Sequence, residues 1–361
     1  MIVNMLAARK GRGGENSRLA EDAASWGCRL SRFVQDNRPY RRQCVTYPTR
    51  CRTAIMIYVC ECSCPWTVDV STLCGDRVHP ENQIRRVILL VLDGVRPDAI
   101  EQYELPHLQR LMACGAASLR GSTVSPSVTT AAMTSLLSGV SPECHGIQTD
   151  RLFIPKSALT LSPIAEVLAH HGFPSSGFMG HVPSIFRGIA ARVGRRLGFG
   201  TIHLVGKTAS DILLAARTTI RTQRRGLILM HWPDADRAGH ADGWMSPSYA
   251  RGCRALDRTL GELAARTDVP NDPHTVLIAL ADHGGGGVDR RDHASAHPLD
   301  MTIPLLIAGG GTTPCELLHP TLLDVPPTVL AALGVEIPAS YEGRVLHEAI
   351  AAPVNRAAAV A

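Results

Sequence analysis

Aromatic residues are scarce in this chain. Phe, Trp and Tyr make up 4% of its 361 residues, too few for the stacking platforms that hold single-stranded nucleic acid. A basic excess is also missing, except at one end. The formal charge is +5, yet residues 1–80 hold 12 Lys/Arg against 7 Asp/Glu and the other 281 residues balance at 25 against 25. That balance excludes a globally basic nucleic-acid binder, and no polymer of that kind is expected as a partner. The first residues, MIVNMLAARKGRGGENSR, hold no apolar stretch of signal-peptide length before their charges. The apolar run Ala54–Cys60 is far too short to span a bilayer. No membrane segment is therefore expected, and a cytoplasmic location is the expectation.

Cysteine is abundant only near the start. Seven of eleven cysteines fall in the first 74 residues, but Cys60, Cys62 and Cys64 lack the C-x-x-C spacing of a zinc knuckle. An odd number and no export signal argue against a disulfide framework. Residues 1–82 are expected to be a poorly ordered or artefactual extension, with a small metal- or disulfide-stapled module as the alternative. The remainder has globular composition, since the whole chain is 45% hydrophobic and 19% charged. The domain reading is one main domain over 83–350, with a short insert around 148–226, and a tail over 351–361.

From Gln83 onward the pattern becomes regular. Arg86–Leu92, Leu227–Trp232 and Val276–Ala281 are apolar runs without alternation, the signature of strands buried on both faces in a parallel sheet. Ile303–Ile307 reads as a fourth strand, and Pro304 places it at an edge or an end. Helical stretches lie between, at Leu105–Met112, Pro163–His171, Ser248–Arg266 and Asp324–Gly334, several with proline near the start and glycine after the end. Strands alternating with helices predict an α/β fold: a doubly wound, mostly parallel central sheet with helices on both faces.

Ligands in such sheets bind beyond the carboxyl ends of the strands. Three apolar runs lead there into Asp93, Asp236 and Asp282, accompanied by His240, His283 and His293. One such aspartate is ordinarily a turn former or a cap. Carboxylates with imidazoles and no cysteine point instead to a catalytic divalent-metal site. Gly239 suggests a loop that folds Asp236 and His240 onto one ion, and Gly284–Gly287 a turn that reorients Asp282 and His283. Val124–Gly139 reads as a loop followed by a helix starting near Thr129 or Thr130. A hydroxyl there is an ordinary cap, or a nucleophile where the helix end and a metal favour its ionised form.

Val91-Leu-Asp-Gly-Val-Arg-Pro-Asp98, Pro126-Ser-Val-Thr-Thr130, Leu136-Leu-Ser-Gly-Val-Ser-Pro-Glu-Cys-His-Gly146, Pro233-Asp-Ala-Asp-Arg-Ala-Gly-His240 and Ala281-Asp-His-Gly284 occur in this order. The set resembles the motif series of the type I phosphodiesterase/nucleotide pyrophosphatase family of the alkaline phosphatase superfamily, over roughly residues 84–350. The resemblance implies a two-zinc phosphohydrolase, with manganese as an alternative metal, acting on a small phosphate-ester or nucleotide substrate through a phospho-threonine. It implies one zinc on Asp236, His240 and His293, and another on Asp93, Asp282 and His283, with Thr129 as nucleophile and ligand. His297 is the alternative to His293, and Thr130 to Thr129. Ala131 and Ala132 stand where many members carry Pro and a polar residue, often Asn. A phosphomonoesterase or phosphonate hydrolase of the same superfamily is the near alternative, and a non-catalytic degenerate family member or binding module the distant one. His145 reads as part of a structural turn, His170 and His171 as helix-end residues, and His231 as a core or supporting histidine. Arg195, Arg196, Arg224 and Arg225 read as solvated, or as contacts to an anionic leaving group.

Overall fold

A computed structural model of the chain describes residues 84–149, 155, 157–180 and 194–350, together with Leu6–Ala7 and Ile55–Met56. The chain divides into two compact units, 1–76 and 77–361. In the first, Leu6–Ala7 and Ile55–Met56 pair antiparallel. The rest of the expected extension and the tail 351–361 lie outside the described residues.

The second unit holds strands β1 (Arg86–Leu92), β2 (Ala116–Ser122), β3 (Ser175–Met179), β4 (Thr201–Leu204), β5 (Gly226–Trp232), β6 (Thr275–Leu280), β7 (Thr302–Gly309) and β8 (Cys315–Glu316). Its helices are α1 (Pro97–Gln102), α2 (Pro106–Cys114), α3 (Thr129–Ser138), α4 (Pro142–His145), α5 (Ile164–His170), α6 (Ala209–Thr222), α7 (Asp234–Asp242), α8 (Pro247–Thr267), α9 (Pro298–Met301) and α10 (Val325–Ala332). The eight strands form one sheet in the order β8-β2-β7-β6-β1-β5-β3-β4. Only β7 among them runs against its neighbours. The helices fall into two packed groups, α2 with α6, α7 and α8, and α3 with α4, α5 and α10, as the layers of a doubly wound sheet require.

The three continuous apolar runs became β1, β5 and β6, adjacent and parallel, with every residue buried. Complete burial of each Leu, Ile or Val there contributes about 1.5–3 kcal/mol, which is why these runs hold the middle of the sheet. Of the two places expected for Pro304, an edge or an end, the edge is ruled out. β7 lies between β2 and β6, hydrogen-bonded on both sides. The register of β2 against β7 shifts between Ser118 and Gly121, so a bulge faces Pro304. A strand interior accepts proline where a bulge opposes the missing N–H, and Ser118 Oγ takes the Arg120 N–H of that bulge at 3.1 Å.

Four strands escaped the sequence reading, among them the two-residue β8. β4 is a half-exposed edge, β3 is Ser-Ser-Gly-Phe-Met, and β2 contains small and polar residues. None carries an unbroken apolar run, so their pairing comes from the sheet around them.

Candidate active site

β1, β5 and β6 end side by side. Asp93 follows β1 directly, and its N–H donates to Trp232 O at the end of β5 at 3.1 Å. The Asp236 N–H in turn donates to Asp93 O at 3.0 Å. Gly94 has φ +69°, and a Cβ there would stand 2.9 Å from Asp236 Cα, so only glycine lets α7 approach β1 this closely. Asp236 and His240 sit one turn apart on α7. The expected loop is a helix, and helical geometry itself brings the two side chains together.

Asp282 and His283 lie in the turn after β6 and are fully buried. The reversed direction of β7 sends the β6–β7 connection across the same end of the sheet, and it brings His293 back to α7. Thr129 arrives from β2, as the first residue of α3.

The seven expected residues thus converge. Asp236, His240 and His293 form one group and Asp93, Asp282 and His283 another, with ligand-type atoms within 4.8 Å of one another in each group. His240 Nε2 lies 3.3 Å from Asp236 Oδ1, and His293 Nε2 lies 3.7 Å from the same oxygen. In the second group His283 Nε2 lies 3.3 Å from Asp93 Oδ1 and 3.6 Å from Asp282 Oδ2. Thr129 Oγ1 stands 3.0 Å from His283 Nε2, and the His283 and His293 rings stack with centroids 3.6 Å apart. His297 instead caps α9, its Nδ1 accepting from the Leu299 N–H at 3.1 Å.

Two observations show that these donors suit cations. Asp93 Oδ1, Asp236 Oδ1 and Asp282 Oδ2 are buried without a hydrogen-bond donor, a costly arrangement for carboxylate oxygens unless positive charge meets them. The histidines are oriented as ligands. Nδ1 of His240 faces Arg291 O at 2.7 Å, that of His293 faces Ser127 O at 2.7 Å, and that of His283 faces Gly284 O at 2.9 Å. A carbonyl only accepts, so Nδ1 carries a proton and Nε2 is the nitrogen each ring turns toward the carboxylates. The Nε2 atoms of His240 and His293 face each other at 3.1 Å.

Electrostatics follow from the crowding. Burial, then the Asp282 and Asp236 carboxylates, hold Asp93 well above the usual carboxylate range. Burial opposes the charged form of His283, but Asp282, Asp93 and Asp236 outweigh it and push the ring up to about 10. Burial, then the neighbouring His283, lowers His293. His231 is buried with Nε2 3.3 Å from Asp93 Oδ2, and burial lowers its pKa.

Other expectations resolve as follows. His145 stands in the turn before Gly146, and His171 Nδ1 bonds Val167 O at 2.9 Å at the end of α5. Arg224 and Arg225 immediately precede β5, at the opposite end from the site, and Arg225 lies over the Phe173 ring at 4.7 Å. Arg224 and Arg225 are therefore not placed to meet a leaving group. Arg195 and Arg196 are exposed ahead of β4. Ala131 and Ala132 are fully buried in α3, so the first turn of that helix offers N–H groups where many relatives add a side-chain amide.

Sequence reasoning missed Ser127 and Trp244. Ser127 Oγ donates to His293 O, while Ser127 O takes the His293 ring N–H, which locks the segment before Thr129 to the loop that carries His293. Trp244 Nε1 donates to Gly94 O at 3.0 Å. Neither pairing has a signal in spacing, because the partners are distant in sequence.

The model of the type I phosphodiesterase/nucleotide pyrophosphatase family matches residues 87–301. Venom phosphodiesterase of Macrovipera lebetinus is 25% identical over 217 residues, 55% of this chain and 25% of that protein. Ectonucleotide pyrophosphatase/phosphodiesterase family member 3 of Mus musculus is 24% identical over 248 residues, 62% of this chain and 28% of that protein. The chain therefore spans about a quarter of the length of these curated relatives. Among solved structures, murine ectonucleotide pyrophosphatase/phosphodiesterase 5, an inactive form in complex with AMP, aligns with a TM-score of 0.56 at 15% identity, covering 71% of this chain and 96% of that one. That likeness establishes the shared fold. With the family model matching well over half of its length, the chain belongs to the type I phosphodiesterase/nucleotide pyrophosphatase family.

Proposed function

We propose that this protein is a metal-dependent phosphohydrolase that cleaves phosphodiester or nucleotide pyrophosphate bonds of small substrates through Thr129. The observation that carries the reading is the Thr129 hydroxyl, 3.0 Å from His283 Nε2, beside two groups whose carboxylate oxygens are buried without donors. A non-enzymatic binding module has no use for that combination.

Asp236, His240 and His293 would hold one zinc ion, and Asp93, Asp282 and His283 the other. Divalent cations bound there would neutralise phosphoryl charge and favour the ionised form of the attacking hydroxyl. The chain's own part is orientation. The first turn of α3 would aim N–H groups and the positive dipole end at an anion bound beside Thr129. Thr129 Oγ1, its proton lost to solvent, bonds to phosphorus as the bond to the leaving oxygen breaks, and that oxygen departs with the electron pair and takes a proton from water. Water then attacks the same phosphorus, Oγ1 leaves and regains a proton, and the phosphate product is released. The buried Ala131 and Ala132 add no side-chain donor, so the helix N–H groups carry phosphate recognition on this side.

Hydrolysis of bis-p-nitrophenyl phosphate and p-nitrophenyl phosphate, with zinc supplied or chelated, tests the reading in the wild type and Thr129→Ala. The expected result is zinc-dependent cleavage favouring the diester, reduced at least ~10³-fold by the substitution. A monoester preference would move the protein to the phosphomonoesterase reading with the same site. Chelator-resistant activity would contradict the metal-dependent site.

A further inference from the structure

Trp244 lies two residues beyond α7 and is 3% exposed. Its indole reaches every segment that carries a ligand pair. Nε1 donates to Gly94 O, one residue past Asp93, at 3.0 Å. On α7 the ring occupies the space beside Gly239, where an added Cβ would stand 2.6 Å from Cδ2. After β6 it occupies the space beside Gly285, where a Cβ would stand 2.1 Å from Cε2. Its edge also meets the two imidazoles of one cluster, His240 at 5.3 Å and 78° and His293 at 5.8 Å and 66°.

The polar end of the indole is fixed as firmly as its faces. Tyr249 Oη donates to the same Gly94 O at 2.9 Å and accepts the Arg96 N–H at 2.9 Å. One rigid side chain therefore spans Asp93's strand end, the Asp236–His240 helix and the His283–His293 connection. Its two glycine partners are the residues that leave room for it. Trp232 provides the contrast. It is fully buried in β5, and its Nε1 has no hydrogen-bond partner, so losing that indole removes packing alone.

We propose that Trp244 is a positioning residue that sets the spacing of the metal-ligand clusters, through the rings of His240 and His293 and the backbone at Gly94 and Gly285. The inference rests on the two-cluster reading above. Groups that orient metal ligands at one remove typically change metal affinity by about 10–100-fold when altered. A tryptophan that only fills the core changes stability and leaves the affinity of the folded protein unmoved.

The test is zinc titration into the chelator-stripped full chain, at a temperature below the melting of every metal-free variant. Trp244→Phe removes the Nε1 donor and part of the ring, and Trp232→Phe removes comparable packing at the end of β5 without removing a hydrogen bond. Gly239→Ala keeps the indole but pushes it out of place, so the proposal stays testable should Trp244→Phe fail to fold. The expected result is zinc affinity about 10–100-fold weaker for Trp244→Phe and Gly239→Ala, with Trp232→Phe binding like the wild type. Wild-type affinity in a folded Trp244→Phe, or in Gly239→Ala, would overturn the inference. Equal weakening in Trp232→Phe would overturn it too, by tracing the effect to general packing. A wild type that binds no zinc would instead sink the two-cluster reading, and this inference with it.

Discussion

His145 and His283 are both fully buried, and their surroundings pull them in opposite directions. Burial of the His145 ring outweighs the Ala131 carbonyl and the Glu143 and Glu342 carboxylates that favour its charged form, and holds it below the usual histidine value. Nδ1 accepts the Ile147 N–H at 3.1 Å, and Nε2 faces Ser135 Oγ at 3.0 Å. A second ring proton would confront the Ile147 N–H with another donor. Folding therefore favours the neutral ring, and the unfolded chain binds the extra proton first. The stability this provides is complete above the unfolded value of about 6.5 and is lost as pH falls through the lower folded value, at about 1.4 kcal/mol for each unit of difference. His145→Asn can still accept the Ile147 N–H but does not titrate. Denaturant unfolding from about pH 7.5 to about pH 5 should show a larger loss for the wild type than for His145→Asn; equal losses would remove His145 from this role. At this scale the sequence was informative about identity but not about partners. The seven candidate residues could be named from motifs in order. The Ser127 contact to His293 and the indole contact to Gly94 join residues over 100 positions apart, which no local pattern encodes.

Among the elements, α3 is the one that places the Thr129 hydroxyl. It begins at Thr129 and ends at Gly139, whose φ of +71° closes the last turn as its N–H donates to Ser135 O. The Tyr341 ring packs so closely that a Cβ at Gly139 would stand 2.4 Å from it. Tyr341 is itself anchored by its hydroxyl to Ser162 O at 2.8 Å, so the ring has little freedom to yield. Gly139→Ala combines a left-handed backbone penalty with overpacking and should cost about 2–4 kcal/mol of unfolding free energy, measured by urea titration. A loss below about 0.5 kcal/mol would show that this close contact relaxes freely. The glycine stop was legible in the sequence, as were the long apolar strands and the proline-started helices. α7 was misread as a loop because Asp-Ala-Asp-Arg-Ala-Gly-His-Ala-Asp has few apolar residues and an internal glycine. Tertiary packing against α8 and the junction with β1 supply what its propensity lacks.

At the scale of the molecule, the sheet order explains the site. Three parallel strands at its middle end in Asp93, the α7 pair and Asp282–His283, while the reversed β7 returns the connection bearing His293. The parallel middle could be inferred from buried apolar runs. The position of β7 could not, because the β2 bulge that accommodates Pro304 exists only after pairing. Among the described residues no helix is long and apolar enough to cross a membrane. All of these features converge on one claim, that Thr129 attacks phosphorus before water does. The stereochemical course at phosphorus tests it most directly, using an isotopically chiral phosphorothioate diester hydrolysed in labelled water. Two successive in-line displacements predict net retention of configuration. Net inversion would mean that water attacks the diester directly, and would contradict Thr129 as the nucleophile.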